Sequence, residues 1–153
     1  MIKKDELKPA QNGVKIKGGA GITYEDIQSW IKTKADEYGI PVAFQRDTIR
    51  SGGLFNKKEE PCLVLFHPQH PTDYFRRCIT FRVQGIFAYV EINYYGSSVL
   101  TGQQRTREER RNSDSVATNI LGLLTRVDNA AYDSEYDYYD ALNSVIEEAL
   151  MGA

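Results

Sequence analysis

The stretch from Asp73 to Gly96, DYFRRCITFRVQGIFAYVEINYYG, alternates apolar and polar side chains on both sides of a Gln84–Gly85 dipeptide. Alternation of period two around a turn-forming pair predicts a β-hairpin whose two-residue turn is Gln84–Gly85. This turn sets Ile79 opposite Val90, and nearly every other pair on that face is also apolar. A shift by one residue would turn arginines toward the core, so the alternation specifies the pairing strongly.

The other face of this hairpin is polar and aromatic. It carries Arg76, Cys78, Thr80 and Arg82 on the first strand, and Phe87, Tyr89, Glu91 and Asn93 on the second. Arginines beside aromatic rings are what sheet-based RNA readers use to hold phosphates and to stack bases. The neighbouring strand would add the apolar Cys62, Val64 and Phe66 to this face. We therefore expect a helix to cover part of the face. The part left open is a candidate binding surface.

A helix is predicted to begin after Thr23. Thr23 and Asp26 fit a capping box, and Ile22 with Ile27 fits a hydrophobic staple around it. Apolar residues then recur at helical spacing until Gly39 ends the run. The predicted apolar stripe is Ile27, Trp30, Ile31, Ala35 and Tyr38. This helix is expected to pack on the sheet.

Two further strands are predicted between this helix and the hairpin. Residues 41–47, PVAFQRD, alternate in part, and residues 62–66, CLVLF, form a continuous apolar run between two prolines. A continuous run of this length indicates a strand that is buried on both faces, and it would pair antiparallel with the first hairpin strand. The glycines and charges of the intervening TIRSGGLFNKKEE indicate an exposed loop.

After Gly96 the apolar period changes to 3.6, which predicts two helices. The first carries a stripe of Val116, Ile120, Leu123, Leu124 and Val127, and the second carries Tyr138, Ala141, Leu142, Val145, Ile146, Ala149 and Leu150. Residues 101–115 either begin the first helix or form a loop, and either Asp128 or Ser134 caps the second. The predicted class is α+β, with an antiparallel sheet of about four strands, an N-terminal helix and two C-terminal helices packed on it.

The size and charge of the chain describe an ordinary globular protein of 153 residues with a net charge of −2. This charge gives no general attraction to nucleic acid or to anionic membranes. Residues 1–20 are polar and glycine-rich, so we expect a flexible arm before a single α+β domain of residues 21–153. The arm holds Lys3, Lys4, Lys8, Lys15 and Lys17; a solvated tail is favoured over contact with an anionic partner.

The opening residues lack the apolar centre of a signal peptide, and no apolar run approaches the length of a membrane span. We therefore expect a cytoplasmic protein with no membrane partner. An unprotected strand edge would also permit a symmetric homodimer.

Every cysteine and histidine lies in one short stretch, at Cys62, His67, His70 and Cys78. Zinc prefers these ligand types. Five residues of extended strand span roughly 16 Å, however, so Cys62 and His67 cannot share one ion. We therefore expect no metal and no cofactor. The cysteines are interpreted as small apolar residues and the histidines as turn residues.

Signals for catalysis are weak. The chain has no nucleophile elbow, HExxH pair, Walker loop or dinucleotide fingerprint. Asp73, Arg76 and Glu91 lie on or near the hairpin, where carboxylates could serve in acid–base or metal chemistry. In the predicted register Glu91 is diagonal to Arg76, so a cross-strand ion pair explains both more simply. We assign no catalytic residue, and the balance is against an enzyme.

Two other segments have binding character. One contains four arginines interrupted by Glu108 and Glu109, for which a solvated helix face is favoured over a phosphate track. The other, DNAAYDSEYDYYD, mixes acidic residues with tyrosines that either meet a partner or pack in the core. The predicted partner-binding residues are Arg105, Arg107, Arg110, Arg111, Tyr132, Tyr136, Tyr138 and Tyr139, together with Arg76, Arg82, Phe87, Tyr89 and Glu91 on the hairpin.

These observations favour a small, non-catalytic binding or regulatory protein that engages a macromolecule, most simply another protein, through aromatic and charged surface groups. An inhibitor is one form that such a protein can take. The alternative is nucleic-acid binding by the polar face of the hairpin and the arginine run. The least favoured hypothesis is a small-molecule or metal-dependent enzyme.

Overall fold

The computed structural model describes residues 1–70, 74–97 and 136–152. These residues contain seven strands: β1 (Ile2–Lys3), β2 (Lys8–Pro9), β3 (Val14–Lys17), β4 (Ala43–Ser51), β5 (Lys58–Phe66), β6 (Arg76–Gln84) and β7 (Phe87–Tyr95). They also contain two α-helices, α1 (Tyr24–Tyr38) and α2 (residues 136–151). Short 3-10 turns occupy Lys4–Glu6 and Gly19–Gly21. The predicted helix with its stripe at 116–127 lies outside the described residues.

The sheet is larger than predicted, and it is mixed. Its strands follow the order β1-β4-β5-β6-β7-β2, and β3 pairs with β7 as well. The four predicted strands form the antiparallel series from β4 to β7, whereas β1 pairs with β4 in parallel. The prediction of about four antiparallel strands was therefore wrong. The helix order also differs, because three strands precede α1.

The extra strands all come from the first 20 residues. β1 pairs with one outer strand of the series, β4, while β2 and β3 pair with the other, β7. Only residues 4–7 separate β1 from β2, so this short segment connects the two outer strands and the sheet is curled. Residues that were expected to form an arm beside the domain are paired with its sheet.

Helix α1 begins as its sequence predicts. The Asp26 backbone amide donates to Thr23 Oγ1 at 3.1 Å, and the Thr23 amide donates to Asp26 Oδ2 at 3.0 Å, which completes the capping box. Gly39 ends the helix with a φ of 67°, in the left-handed region that glycine adopts without strain. Of the predicted stripe, Ile27, Ile31 and Ala35 are fully buried.

The β6–β7 hairpin forms, but its register is displaced by two residues from the predicted one. Gln84 pairs with Phe87, so the turn residues are Gly85 and Ile86. Gly85 has a φ of 60°, and a turn that needs positive φ at its first central position selects glycine there. A displacement of two residues keeps every side chain on its predicted face, so the division between the two faces is unchanged.

The helix-covered face of the sheet holds the larger core. Tyr24 of α1 contacts the Phe81 ring at 4.7 Å between centroids and donates from its hydroxyl to the Pro61 carbonyl at 2.8 Å. Arg77 Nε donates to Asn143 Oδ1 of α2 at 3.0 Å. Fully buried side chains around these contacts include Ile27, Ile31, Leu63, Leu65, Ile79, Ile92, Leu142, Val145 and Ile146.

The apolar run of β5 is buried on both faces, as predicted. Cys62, Leu63, Val64 and Leu65 are each fully buried, and β5 pairs antiparallel with β6. β4 and β5 extend further than the sequence indicated, so the connecting loop contains only residues 52–57. Among the described residues, no helix is both long enough and apolar enough to cross a membrane.

Candidate functional site

One end of the polar sheet face carries a group of cationic and aromatic side chains together with one glutamate, here called the sheet patch; all are exposed except the half-buried Phe87. Its members are Lys15, Lys17, Arg82, Phe87, Tyr89 and Glu91. The strand pairing brings them together, since Lys15 lies opposite Tyr89, Lys17 opposite Phe87, and Tyr89 opposite Arg82 on its other side. Alternation along each strand places all of these side chains on one face.

Aromatic rings at the centre of the sheet patch are bordered by cations. The Phe87 and Tyr89 rings lie 6.4 Å apart between centroids, and Lys15 Nζ lies 5.1 Å from the Phe87 centroid. An ammonium group over an aromatic face is a cation–π contact. Tyr89 is 39% exposed, so part of its ring is open to a ligand. The arrangement offers apolar area and positive charge to the same ligand.

Charge in the sheet patch is positive. Arg82 Nη2 donates to Glu91 Oε1 at 3.0 Å, so these two groups largely cancel. Lys15 and Lys17 form no ion pair with any carboxylate in the described part of the chain. Two cations are thus free to meet an anionic group on a ligand.

Arg76, which was predicted to share this surface, lies elsewhere on the same face. It is 9% exposed, its guanidinium lies 4.1 Å from the centroid of the Phe66 ring, and its Nη1 donates to Gln45 Oε1 at 3.3 Å. Because the register differs by two residues, Glu91 pairs with Arg82 and not with Arg76. Arg76 therefore contributes to packing at the closed end of the face.

That closed end forms a second, smaller core of Ile2, Ile49, Cys62, Val64 and Cys78, against which Leu7, Phe66 and Tyr95 pack. The sequence predicted that a helix would cover this part of the face. The N-terminal segment covers it instead, through β1 and Leu7, because β1 pairs with β4 and directs Ile2 into the cluster.

The two cysteines lie side by side in this second core. Cys78 pairs with Val64, so Cys62 is its diagonal neighbour on the same face. A hydrogen bond with Cys78 lowers the pKa of the Cys62 thiol, and the same bond together with burial raises the pKa of the Cys78 thiol. Both residues are fully buried, which is typical of inert structural cysteines.

His67 and His70 stack in the turn that follows β5. Their ring centroids lie 4.3 Å apart with planes 17° from parallel, and Tyr74 contacts His70 at 4.2 Å. Burial lowers the pKa of both imidazoles. The two rings lie in nearly parallel planes, and His67 Nδ1 already accepts from the Gln69 amide at 3.1 Å. The described residues contain no group of three or more metal-ligating side chains.

The remaining predicted residues are dispersed or lie outside the description. Tyr136 is 66% exposed at the beginning of the described part of α2, whereas Tyr139 is buried. The rings of Tyr138 and Tyr139 meet edge to face at 5.1 Å. Arg105, Arg107, Arg110, Arg111 and Tyr132 lie outside the described residues.

Beside the sheet patch, at the edge formed by β3, lies an open cleft of about 560 Å³. Lys15 contributes to both the patch and the cleft, and Glu147 and Met151 of α2 form the opposite wall. Gln11 Oε1 in this cleft is buried and has no hydrogen-bond partner among the described residues. The cleft places an unsatisfied acceptor, a lysine and a glutamate beside the sheet patch.

Sequence reasoning missed Lys15 and Lys17 as members of this surface, because residues 1–20 were assigned to an arm. The signal was present in the alternation of Val14, Lys15, Ile16 and Lys17, which fits a strand with one buried face. Comparison of the chain with models of known protein families, with curated proteins and with solved structures gave no significant match.

Proposed function

We propose that this chain is a non-catalytic binding protein that engages a macromolecular partner through the sheet patch. The observation that carries this proposal is the exposure of Tyr89 at mid-strand, next to Phe87 and within a border of Lys15, Lys17 and Arg82. Burying a tyrosine on association gains apolar area and satisfies its hydroxyl, which is why tyrosine and arginine dominate binding energy at interfaces.

A protein partner is favoured by the mixed charge of the sheet patch. The Arg82–Glu91 ion pair presents both signs of charge beside the rings, and such complementarity specifies orientation at a protein interface. A regulatory role, including inhibition, is one that a small domain with such a contact surface can fill.

Single-stranded nucleic acid is the second candidate, and the β3 lysines favour it. Lys15 and Lys17 lie opposite Tyr89 and Phe87, so phosphates could contact the ammonium groups while bases stack on the rings. A phosphate-driven complex must weaken steeply as salt increases, because each neutralised phosphate releases counterions.

The test is affinity capture from the native host with identification of both protein and nucleic acid, followed by direct titration of the isolated partner. We expect Tyr89→Ala and Lys17→Ala to reduce affinity at least about tenfold, as hot-spot truncations do. Tyr38→Ala and Lys32→Ala are matched controls on exposed positions of α1 and should bind normally.

Salt dependence of the measured affinity then separates a nucleic-acid partner from a protein partner. Equal binding by the patch variants and the controls would refute the proposed site. Turnover of a nucleotide or nucleic acid by the purified protein, abolished by a single Glu91→Gln or His67→Ala substitution, would refute the non-catalytic function.

A further inference from the structure

The turn between β4 and β5 exposes two adjacent large apolar side chains. Leu54 is 85% exposed and Phe55 is 98% exposed, more than any other large apolar residue that the structure describes. They occupy the two central positions of a turn in which the Asn56 amide donates to the Gly53 carbonyl at 3.3 Å. Leu54–Phe55 is called the apolar tip below.

The backbone holds the apolar tip in a defined position. Gly52 has a φ of 90°, and a Cβ at this residue would collide with the Asn56 carbonyl oxygen. The chain thus closes tightly at the base of the loop, which limits the ways in which it can fold back over the sheet. Exposed apolar surface that is rimmed by polar residues marks a candidate site of contact with a protein or a membrane.

Cations surround the base of the apolar tip. The strand pairing sets Lys3 of β1 beside Arg50 of β4, and Lys58 of β5 opposite Ser51. Lys3, Lys4 and Arg50 line an open cleft of about 510 Å³ together with Asp5, Ser51 and Gly52, and Lys57 is the last residue of the loop. In the described part of the chain, none of these five cations forms an ion pair.

We infer that the apolar tip and its basic border bind the surface of an anionic phospholipid bilayer. Leu54 and Phe55 enter the boundary between headgroups and acyl chains, while Lys3, Lys57 and Arg50 face the lipid phosphates. Charge complementarity selects this occupant: five cations that form no ion pair within the described residues border the apolar tip and its cleft, against two nearby acidic groups, Asp5 in the cleft and Glu59 opposite Arg50.

Two features favour lipid over nucleic acid at this end of the molecule. Leu54 has no π face on which a base could stack, and a convex turn presents its apolar pair to a fluid layer without needing a pocket. The chain's net charge of −2 does not oppose the contact, because charges further than about 8 Å away are largely screened at physiological salt. This site is separate from the sheet patch and differs from the sequence-based expectation of no membrane partner.

The first test is flotation of the full chain with vesicles of phosphatidylcholine alone or mixed with phosphatidylserine. We expect association with the mixed vesicles and a decrease as salt is raised. Replacing the apolar tip, Leu54→Ser with Phe55→Ser, should lower the partition coefficient at least about tenfold, since two apolar side chains lose their burial. Ile86→Ser, at the other hairpin turn and 54% exposed, is the matched control and should leave partitioning unchanged.

The second test changes charge. Lys57→Glu with Lys58→Glu should lower partitioning into the mixed vesicles by about fivefold or more per residue, while Lys32→Glu on α1 should not. A Phe55→Trp variant should shift its emission to shorter wavelength when mixed vesicles are added, which reports insertion independently of flotation.

Absence of wild-type association with the mixed vesicles, or equal association of the serine variant, would overturn the inference. Binding of a labelled single-stranded oligonucleotide that the serine pair abolishes, without vesicle binding, would assign the apolar tip to nucleic acid. All substituted side chains are exposed, so unchanged circular dichroism and urea midpoints will show that the variants are folded.

Discussion

Truncation of Ile2 to alanine measures whether the N-terminal segment belongs to the folded core. Ile2 is 3% exposed, pairs with Ile49, and packs in the second core with Cys62, Val64 and Cys78. If residues 1–20 were a solvated arm, this substitution would change nothing measurable. If β1 covers the second core, as the structure shows, the truncation leaves a cavity.

The expected cost is about 2 kcal/mol of unfolding free energy. Truncating a fully buried isoleucine to alanine costs about 2–5 kcal/mol, the sum of lost apolar burial and of the cavity left behind. β1 contributes only two residues to the sheet, so its backbone can relax toward the cavity, and we place the value at the lower limit. The matched control is Lys3→Ala, whose exposed side chain should contribute less than about 0.5 kcal/mol.

The assay is urea unfolding followed by circular dichroism and by the fluorescence of Trp30, which is half-buried on α1. Agreement of the two probes would support a two-state transition, in which the midpoint shift reports the change in stability. A loss below about 0.5 kcal/mol for Ile2→Ala, equal to that of Lys3→Ala, would refute the closure of the second core by β1.

Three further predictions concern local features. Thr23→Ala removes the capping box and should lower the unfolding free energy by about 1 kcal/mol in urea; no change would contradict the cap geometry. Gly52→Ala should cost more than about 1 kcal/mol in the same assay, because its Cβ collides with the Asn56 carbonyl, and a neutral result would refute the loop conformation. Burial and the neighbouring His67 lower the pKa of His70, so the unfolded chain binds this proton more tightly and stability should fall as the pH drops below about 6.5. His70→Gln should reduce that pH dependence. An NMR titration that gives an ordinary pKa for His70 in the folded chain would contradict the prediction.

The features of the fold that are set by residues close together in sequence were predicted correctly. The capping box at Thr23 and the stop at Gly39 need only residues within a few positions, and both are present. The apolar run from Cys62 to Leu65 is buried on both faces as predicted, because a strand with no polar side needs cover on each side. The two faces of the β6–β7 hairpin are also correct, since alternation alone assigns a face.

The register of that hairpin needed more than alternation. Pairings that differ by two residues place the same side chains on the same faces, so the apolar pattern cannot distinguish them. The conformation of the turn decided it, through the positive φ of Gly85 at its first central position. The change moved the partner of Glu91 from Arg76 to Arg82, so the arginine of the sheet patch is the one that is paired.

The sheet patch was half predictable. Phe87, Tyr89 and Arg82 follow from hairpin alternation, whereas Lys15 and Lys17 join them only because β3 pairs with β7, 70 or more residues away in sequence. Arg76, by contrast, was predicted to belong to this surface but does not. It shares a face with the sheet patch and lies at the end that the N-terminal segment covers.

By itself, the sequence determined the approximate positions of α1, α2 and the strands from β4 to β7, and which side of each hairpin strand is apolar, because those properties depend on the spacing of side chains along one segment. Tertiary structure alone decided which part of the polar sheet face is covered and which stays open. Which part is covered depends on the pairing of β1 with β4 and of β2 and β3 with β7. Strands of two to four residues are too short for their own apolar pattern to show which strand they pair with. Ile2 and Leu7 cover one end of the face as a result, and Tyr89 remains exposed at the other.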